Sequence, residues 1–221
     1  MDILDLEIEE QGYYDNHVVP LFNKVFNLKL KGRFFSRGTY GFVIHNIKIG
    51  KLFNSLGFPS GKKSKIVKVP ELILKSKNKT LYAKFLRGLL DTDGHIGFRN
   101  RRTIKNHSFF KRNYNYYPII QITTISEVLS DNVCFMLNEL GIKHFVYSYQ
   151  PKNIRDSYKY VIVMSGVERL SKWMNLIGSK NPVKLSRYLV WKKHGHCPTN
   201  LTLQQRENIL NGKLDINNMD L

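Results

Sequence analysis

The stretch Phe85-Leu86-Arg87-Gly88-Leu89-Leu90-Asp91-Thr92-Asp93-Gly94-His95 decides the fold of this chain. The apolar residues in and before it recur at helical spacing, namely Leu81, Phe85, Leu86, Leu89 and Leu90. This pattern predicts a helix that starts near Thr80 and ends at Asp91-Thr92-Asp93-Gly94, where the glycine suits a C-terminal cap. Two carboxylates therefore stand at the helix end whose dipole repels anions, and a bound cation would relieve that repulsion.

Gly88 lies inside the predicted helix, where it costs about 1 kcal/mol relative to alanine. A glycine at this place is tolerable if it allows another backbone to approach closely. The sequence therefore predicts a contact between two helices through Gly88.

Two parts of the chain repeat one another. A strand-like run from Tyr40 to Ile44 precedes a helical pattern that ends at Gly57, and Lys63 follows six residues later. A second run from Tyr158 to Ile162 precedes a helical pattern that ends at Gly178, and Lys184 again follows six residues later. The repeat predicts an α+β protein of two pseudo-symmetric units, each an antiparallel sheet covered by helices on one face.

A further helical pattern lies before each copy of the repeat. Each pattern follows an Asp-Asn pair, at residues 15–16 and 131–132, and these residue types favour the start of a helix. Strands are predicted at residues 117–124, 145–149 and 158–164 from their β-branched and aromatic content. A short helix is predicted near Glu71, and another from Thr202 to Gly212 with Gln205 completing a capping box.

The segment from Leu86 to Gly94 resembles the LAGLIDADG motif of homing endonucleases, which serve intron and intein mobility. The matching residues are Gly88, Leu89, Asp91, Asp93 and Gly94. The stretch from Leu56-Gly57-Phe58-Pro59 to Val69-Pro70 also resembles the link between the halves of archaeal and intein-type members. The resemblance covers about residues 1–190 and implies three parts: residues 1–79 as a first half, 80–190 as a second half and 191–221 as a C-terminal extension.

The resemblance implies a mechanism and roles for individual residues. In that family two motif helices pack together, the sheets lie in the DNA major groove, and the acids hold divalent metal ions, usually Mg²⁺, that assist phosphodiester hydrolysis. Asp93 corresponds to the catalytic, metal-binding acid, and Gly94 contributes a backbone carbonyl near the metal. Asp91 corresponds to a more structural position. The helix interface would be formed by Leu86, Gly88, Leu89 and Asp91.

The family often places a lysine near the reacting phosphate, and the repeat makes Lys63 and Lys184 the candidates. On a chain so rich in basic residues, each of them is also explained as a solvated lysine that screens phosphate. The glutamine or lysine that the family leads one to expect at the end of the strand 119–124 is absent.

The charge of the chain favours nucleic acid as a partner. Thirty-five Lys and Arg against 17 Asp and Glu give a net charge of +18, a field that attracts polyanions. A ribosome-associated protein and one that binds an acidic membrane surface are the alternatives. No apolar run approaches a membrane span, and the two cysteines make no disulfide framework, so an intracellular protein of the cytoplasm or an organelle matrix is expected. The cluster at residues 194–197 lacks further zinc ligands and is interpreted as a surface loop.

Residues 99–117 are the predicted contact with double-stranded DNA. They contain six Lys or Arg, five aromatic residues and no acid. A β-ribbon of this composition could place its basic side chains on phosphates and guanine edges. The predicted contacts are Arg99, Arg101, Arg102, Lys111 and Arg112. The aromatic residues would also suit RNA stacking, which leaves a maturase-like role open.

The chain contains one Asp-x-Asp-Gly, although duplex hydrolysis in this family uses acids from two sides. Residues 1–79 look like a first half without its motif helix. Three explanations are open: a homodimer through residues 80–94, a separate chain that supplies the missing helix, or a truncated or degenerate member. The expected function is a site-specific double-strand DNA endonuclease whose activity is uncertain. The alternative is a noncatalytic DNA- or RNA-binding protein or maturase-like factor.

Overall fold

The computed structural model describes residues 9–35, 40–58, 64–100, 112, 114–153 and 155–219. Helices are combined with antiparallel sheets, which confirms the predicted α+β class. Contacts divide the chain into one unit of residues 1–45, 98–116 and 180–221 and another of residues 46–97 and 117–179. The three parts expected from the resemblance stay a prediction.

The first copy of the repeat contains short elements. A π-helical turn at Tyr14–Val18 leads into α1 (Val19–Phe26), and the strands β1 (Arg33–Phe34) and β2 (Tyr40–Gly41) pair antiparallel before α2 (Ile47–Ser55). The predicted helix start at residues 15–16 is wrong, because residues 9–13 are already helical. Asp15 instead accepts a hydrogen bond of 2.7 Å from the Tyr40 hydroxyl.

The second copy carries the larger sheet. The helices α3 (Glu71–Lys75) and α4 (Lys79–Asp93) lead into the strands β3 (Gly94–Arg99) and β4 (Tyr117–Thr124). The chain continues through α5 (Glu127–Glu139), β5 (Phe145–Tyr149), β6 (Lys159–Ser165) and α6 (Val167–Leu176). The strands pair in the order β3-β4-β6-β5. The predicted strand and helix bounds hold here within a few residues.

The start of α5 differs from the prediction at residues 131–132. The helix begins at Glu127, because the Ser126 hydroxyl caps it by accepting from the Leu129 N–H at 3.2 Å. Asn132 lies inside the helix, and its side-chain oxygen accepts from the Val69 N–H at 3.1 Å. Its amide therefore joins the helix to a preceding loop and does not begin the helix.

The core of the second unit lies between the sheet and its helices. Ile120 pairs with Met164 and Ile122 with Ile162 across β4 and β6, and each of the four is at most 1% exposed. Paired residues on antiparallel strands point to the same face of a sheet. Alternate residues of both strands thus form the helix-covered face, as the period of two in the sequence implies.

The C-terminal part is helical and well packed. It contains α7 (Pro182–His194), α8 (Leu203–Leu210) and a 3₁₀ turn (Ile216–Asn218). The predicted capping box of Thr202 and Gln205 is confirmed. In the part of the chain that the structure describes, no helix is both long and apolar enough to cross a bilayer.

The predicted surface loop at residues 194–197 is wrong, since His196 and Cys197 are buried. The Cys197 N–H donates to the Asn115 carbonyl at 2.9 Å, which holds the segment inside. Burial raises the pKa of the Cys197 thiol to about 11.

The buried thiol makes stability depend on pH at the alkaline end. The folded pKa exceeds that of an exposed thiol, so the contribution is complete below pH 9 and is lost as the pH rises through 11. We expect the wild-type chain to lose about 2–3 kcal/mol more than Cys197→Ala between these values. Urea unfolding of both proteins at the two pH values measures this difference, and equal losses would contradict it.

Candidate nuclease site

The site is organised by helix α4. Asn78 caps its start, with its side-chain oxygen accepting from the Thr80 N–H at 2.9 Å and the Leu81 N–H at 3.3 Å. Tyr82, Leu86 and Leu90 recur every fourth residue and are fully buried. This buried stripe fixes the rotation of the helix about its axis, and therefore the direction of the acids at its end.

The two acids of the motif have opposite environments. Asp91 is 1% exposed, and Ser179 donates its hydroxyl proton to Asp91 Oδ1 at 2.5 Å. A buried carboxylate with such a partner joins the end of α4 to the chain after α6. This environment is compatible with the structural position that the resemblance implies for Asp91, and that role stays a prediction. Ser179 was not identified from the sequence.

Asp93 is the exposed acid of the pair. It lines a cavity of about 480 Å³ together with Lys159, Thr123, Thr124 and Ser64. The Thr92 hydroxyl lies 3.2 Å from Asp93 Oδ2. The end of α4, the end of β4 and the start of β6 therefore line one space, and apolar residues such as Leu89, Ile122 and Leu129 form much of its wall.

Gly94 follows Asp93 and begins β3. It is the C-cap of α4, as predicted, but its backbone is extended, with φ −86° and ψ 169°, and not left-handed. The requirement for glycine is one of space, because a Cβ here would lie 2.6 Å from Leu90 Cδ1 and 2.7 Å from Leu90 Cα. The chain can turn directly from helix into strand only without a side chain at this position.

We expect Gly94→Ala to destabilise the fold by about 1–3 kcal/mol, because backbone atoms of α4 must shift to admit the methyl group. Urea unfolding at neutral pH measures the change. Gly50→Ala is the matched control, since a Cβ at this helical position meets no atom within 4 Å. Equal stability of Gly94→Ala and the wild type would show that the turn accepts a side chain.

Gly88 lies on the exposed side of α4. A Cβ built on it meets nothing within 4 Å. The predicted close approach at Gly88 therefore has no counterpart among the described residues. The face around it also carries Leu81, which is 39% exposed.

The groups at Asp93 suit Mg²⁺ better than structural Zn²⁺. The described residues contain no group of three or more His, Cys, Asp or Glu that could hold a metal ion. Structural zinc needs four protein ligands, whereas Mg²⁺ uses one or two carboxylates and takes further oxygens from water and phosphate. The exposed Asp93 carboxylate would thus suit a magnesium site whose further oxygens come from water and phosphate.

Lys159 is a lysine that lines the same cavity as Asp93, and sequence reasoning missed it. The only signal was its place at the start of the predicted strand 158–164. Lys184, the predicted catalytic lysine, is 8% exposed, and its Nζ lies 3.9 Å from Glu10 Oε1. That ion pair gives Lys184 a structural environment. Lys63 lies outside the described residues.

The predicted DNA contacts are only partly described. Arg99 is exposed at the end of β3, while Arg101, Arg102 and Lys111 lie outside the described residues. Arg112 is engaged within the chain, since its guanidinium bonds the Tyr114 hydroxyl and the Asn217 side chain.

Comparison with known proteins gives a family for one part of the chain. Residues 80–178 match the family model of a LAGLIDADG-like domain. A solved structure of mesophilic variants of the homing endonuclease I-DmoI is similar over 76% of this chain and 75% of that chain, at 16% identity and a TM-score of 0.47. No curated protein is significantly similar in sequence.

Proposed function

We propose that this chain, whose residues 80–178 match the family model of a LAGLIDADG-like domain, is a site-specific double-strand DNA endonuclease that uses a divalent metal. The observation that carries the proposal is the exposed Asp93 carboxylate at the end of the motif helix, in one cavity with Lys159. The net charge of +18 supports a polyanionic substrate.

We assign a separate role in phosphodiester hydrolysis to each residue at the cavity. Asp93 and the Gly94 carbonyl would hold Mg²⁺, which when bound supplies Lewis-acid stabilisation and a hydroxide source near neutral pH. The Lys159 ammonium group would pair with a phosphate oxygen and oppose the charge that grows on it. Asp91 and Ser179 act through position, because they fix the end of α4.

A second acid must come from outside the motif of this chain, since the sequence has one Asp-x-Asp-Gly. A homodimer through residues 79–93 would supply it by symmetry, with Gly88 allowing the two helices to approach closely. The exposed side of α4, with open space above Gly88, supports this arrangement. A separate chain that carries a motif helix is the other source.

The single Asp-x-Asp-Gly motif also supports a second candidate function, namely noncatalytic binding of nucleic acid. One carboxylate in the cavity also suits a noncatalytic nucleic-acid binder, including a maturase-like factor that acts on RNA. Such a protein would bind with strong salt dependence and without a metal requirement.

The experiment that separates the two functions uses the full chain and a library of long random DNA duplexes. Incubation with Mg²⁺ is compared with incubation in EDTA, and the new DNA ends are sequenced. The endonuclease proposal expects recurrent double-strand ends in Mg²⁺ alone. Retention of duplexes on the protein with no metal-dependent ends would contradict it and favour the noncatalytic binder.

A further inference from the structure

Three aromatic rings project from the edge strand β5. Phe145, Tyr147 and Tyr149, here called the aromatic ladder, are 51%, 45% and 42% exposed. The ring centroids follow one another at 6.4 Å and 6.2 Å, with planes inclined by 25° and 24°. Single exposed aromatic residues are normal on a protein surface and need no explanation. Three neighbouring exposed rings form a contiguous patch, which is typical of a binding surface.

The ladder faces away from the helices. Its residues pair with Val163, Val161 and Lys159 on β6. The intervening residues of β6 face α5 instead, since burial and the neighbouring Glu127 of α5 raise the pKa of Tyr160. On the ladder's own face Val161 and Val163 are 1% and 2% exposed, so the rings themselves form the accessible surface there. Because alternate residues of a strand point to opposite faces, the aromatic ladder lies on the open face of the sheet.

The open face is continuous with the cavity of Asp93. Lys159 pairs with Tyr149 and lines that cavity. Thr123, another lining residue, pairs with Val161, which in turn pairs with Tyr147. A DNA strand whose phosphate lies at Asp93 would therefore meet the ladder with its neighbouring bases.

The chemistry of the ladder limits what it can recognise. Its rings carry no charge and no amide, so they cannot make the bidentate contacts that select guanine or adenine. The apolar group that the major groove displays is the thymine methyl. Two base steps span about 6.8 Å, close to the separation of successive rings.

We propose that the aromatic ladder reads thymine methyl groups, so that the target of this chain contains thymines at alternate positions a few base pairs from the cut. This inference rests on the proposed function, because it requires duplex DNA on the open face of the sheet. Lys152 and Arg155 are exposed on the connection between β5 and β6, where they can pair with the flanking phosphates.

The test compares thymine with uracil, which lacks only the methyl group. Duplexes that the full chain retains from a random library are copied once with dTTP and once with dUTP, and binding of both pools is measured without metal. We expect the uracil pool to bind more weakly, by about fourfold for each methyl group contacted. Tyr147→Ser should reduce this discrimination, and Tyr147→Phe should keep it.

Tyr158→Ser is the matched control. Tyr158 is 44% exposed, but its hydroxyl lies 3.0 Å from that of Ser148 and its ring packs on Tyr160, on the helix-covered side. Tyr158→Ser should therefore bind the thymine pool more tightly than the uracil pool by the same factor as the wild type does.

Duplex binding that does not distinguish the two pools, or discrimination that survives Tyr147→Ser, would overturn the inference while leaving the proposed function intact. The inference would also be overturned if Tyr147→Ser bound duplex DNA as the wild type does but bound single-stranded DNA more weakly. That result would mean that the rings stack on unpaired bases. A wild-type chain that binds no duplex would overturn the proposed function and the inference together.

Discussion

Asp93→Asn is expected to abolish metal-dependent cleavage, by at least about a thousandfold, and to leave affinity for duplex DNA nearly unchanged. Asparagine has the same size but no charge, so it cannot supply the anionic ligand that the cavity otherwise offers. Asp93 is exposed at the helix end, where loss of a carboxylate also relieves repulsion from the helix dipole. The fold should therefore be as stable as the wild type or slightly more so.

Cleavage and binding are measured on the same target duplex, the first in Mg²⁺ and the second in Ca²⁺ or EDTA. Asp156→Asn is the matched control, since it removes an exposed acid from the connection between β5 and β6 and should retain cleavage. An Asp93→Asn variant that cuts at the wild-type rate would remove this residue from the chemistry.

Lys159→Met is expected to lower the cleavage rate by about a hundredfold or more, because the transition state loses a fixed cation beside the phosphate. Methionine keeps much of the length and apolar stem of lysine. The ground-state affinity should fall only slightly, as one phosphate contact among many is lost. Lys159→Arg should recover part of the rate by restoring the charge.

Lys184→Met provides the contrast with Lys159→Met. Lys184 is buried against Glu10, so its loss should lower stability and leave the rate per folded molecule close to the wild-type value. Single-turnover rates with a fraction-folded measurement separate the two effects. A rate loss confined to Lys184→Met would favour the lysine chosen from the internal repeat over the one chosen from the structure.

The local parts of the fold could be predicted from the sequence. Helix α4 has an apolar period and a glycine after it, and the strands at residues 117–124 and 145–149 are rich in β-branched and aromatic residues, so their patterns depend on near neighbours alone. The motif resemblance assigned different roles to Asp93 and Asp91, but their exposure and burial became visible only in the structure.

The rest depended on contacts between distant residues. Lys159 lines the cavity of Asp93 because β4 and β6 pair in one register, which no local pattern specifies. Asn132 looked like a helix start because asparagine favours caps, yet its side chain satisfies the Val69 N–H far along the chain. Cys197 is buried through a hydrogen bond with the Asn115 carbonyl, which equally joins distant segments.

We propose that Asp93 forms half of a two-acid centre, which a second copy of the chain completes. The most direct test mixes wild type and Asp93→Asn by equimolar co-expression and measures double-strand cleavage at fixed total protein. If two copies share each site, about one quarter of the dimers carry both acids, and the rate should fall to about one quarter, with nicked DNA accumulating. A fall to about one half, without nicks, would show that each chain acts independently and would contradict the claim.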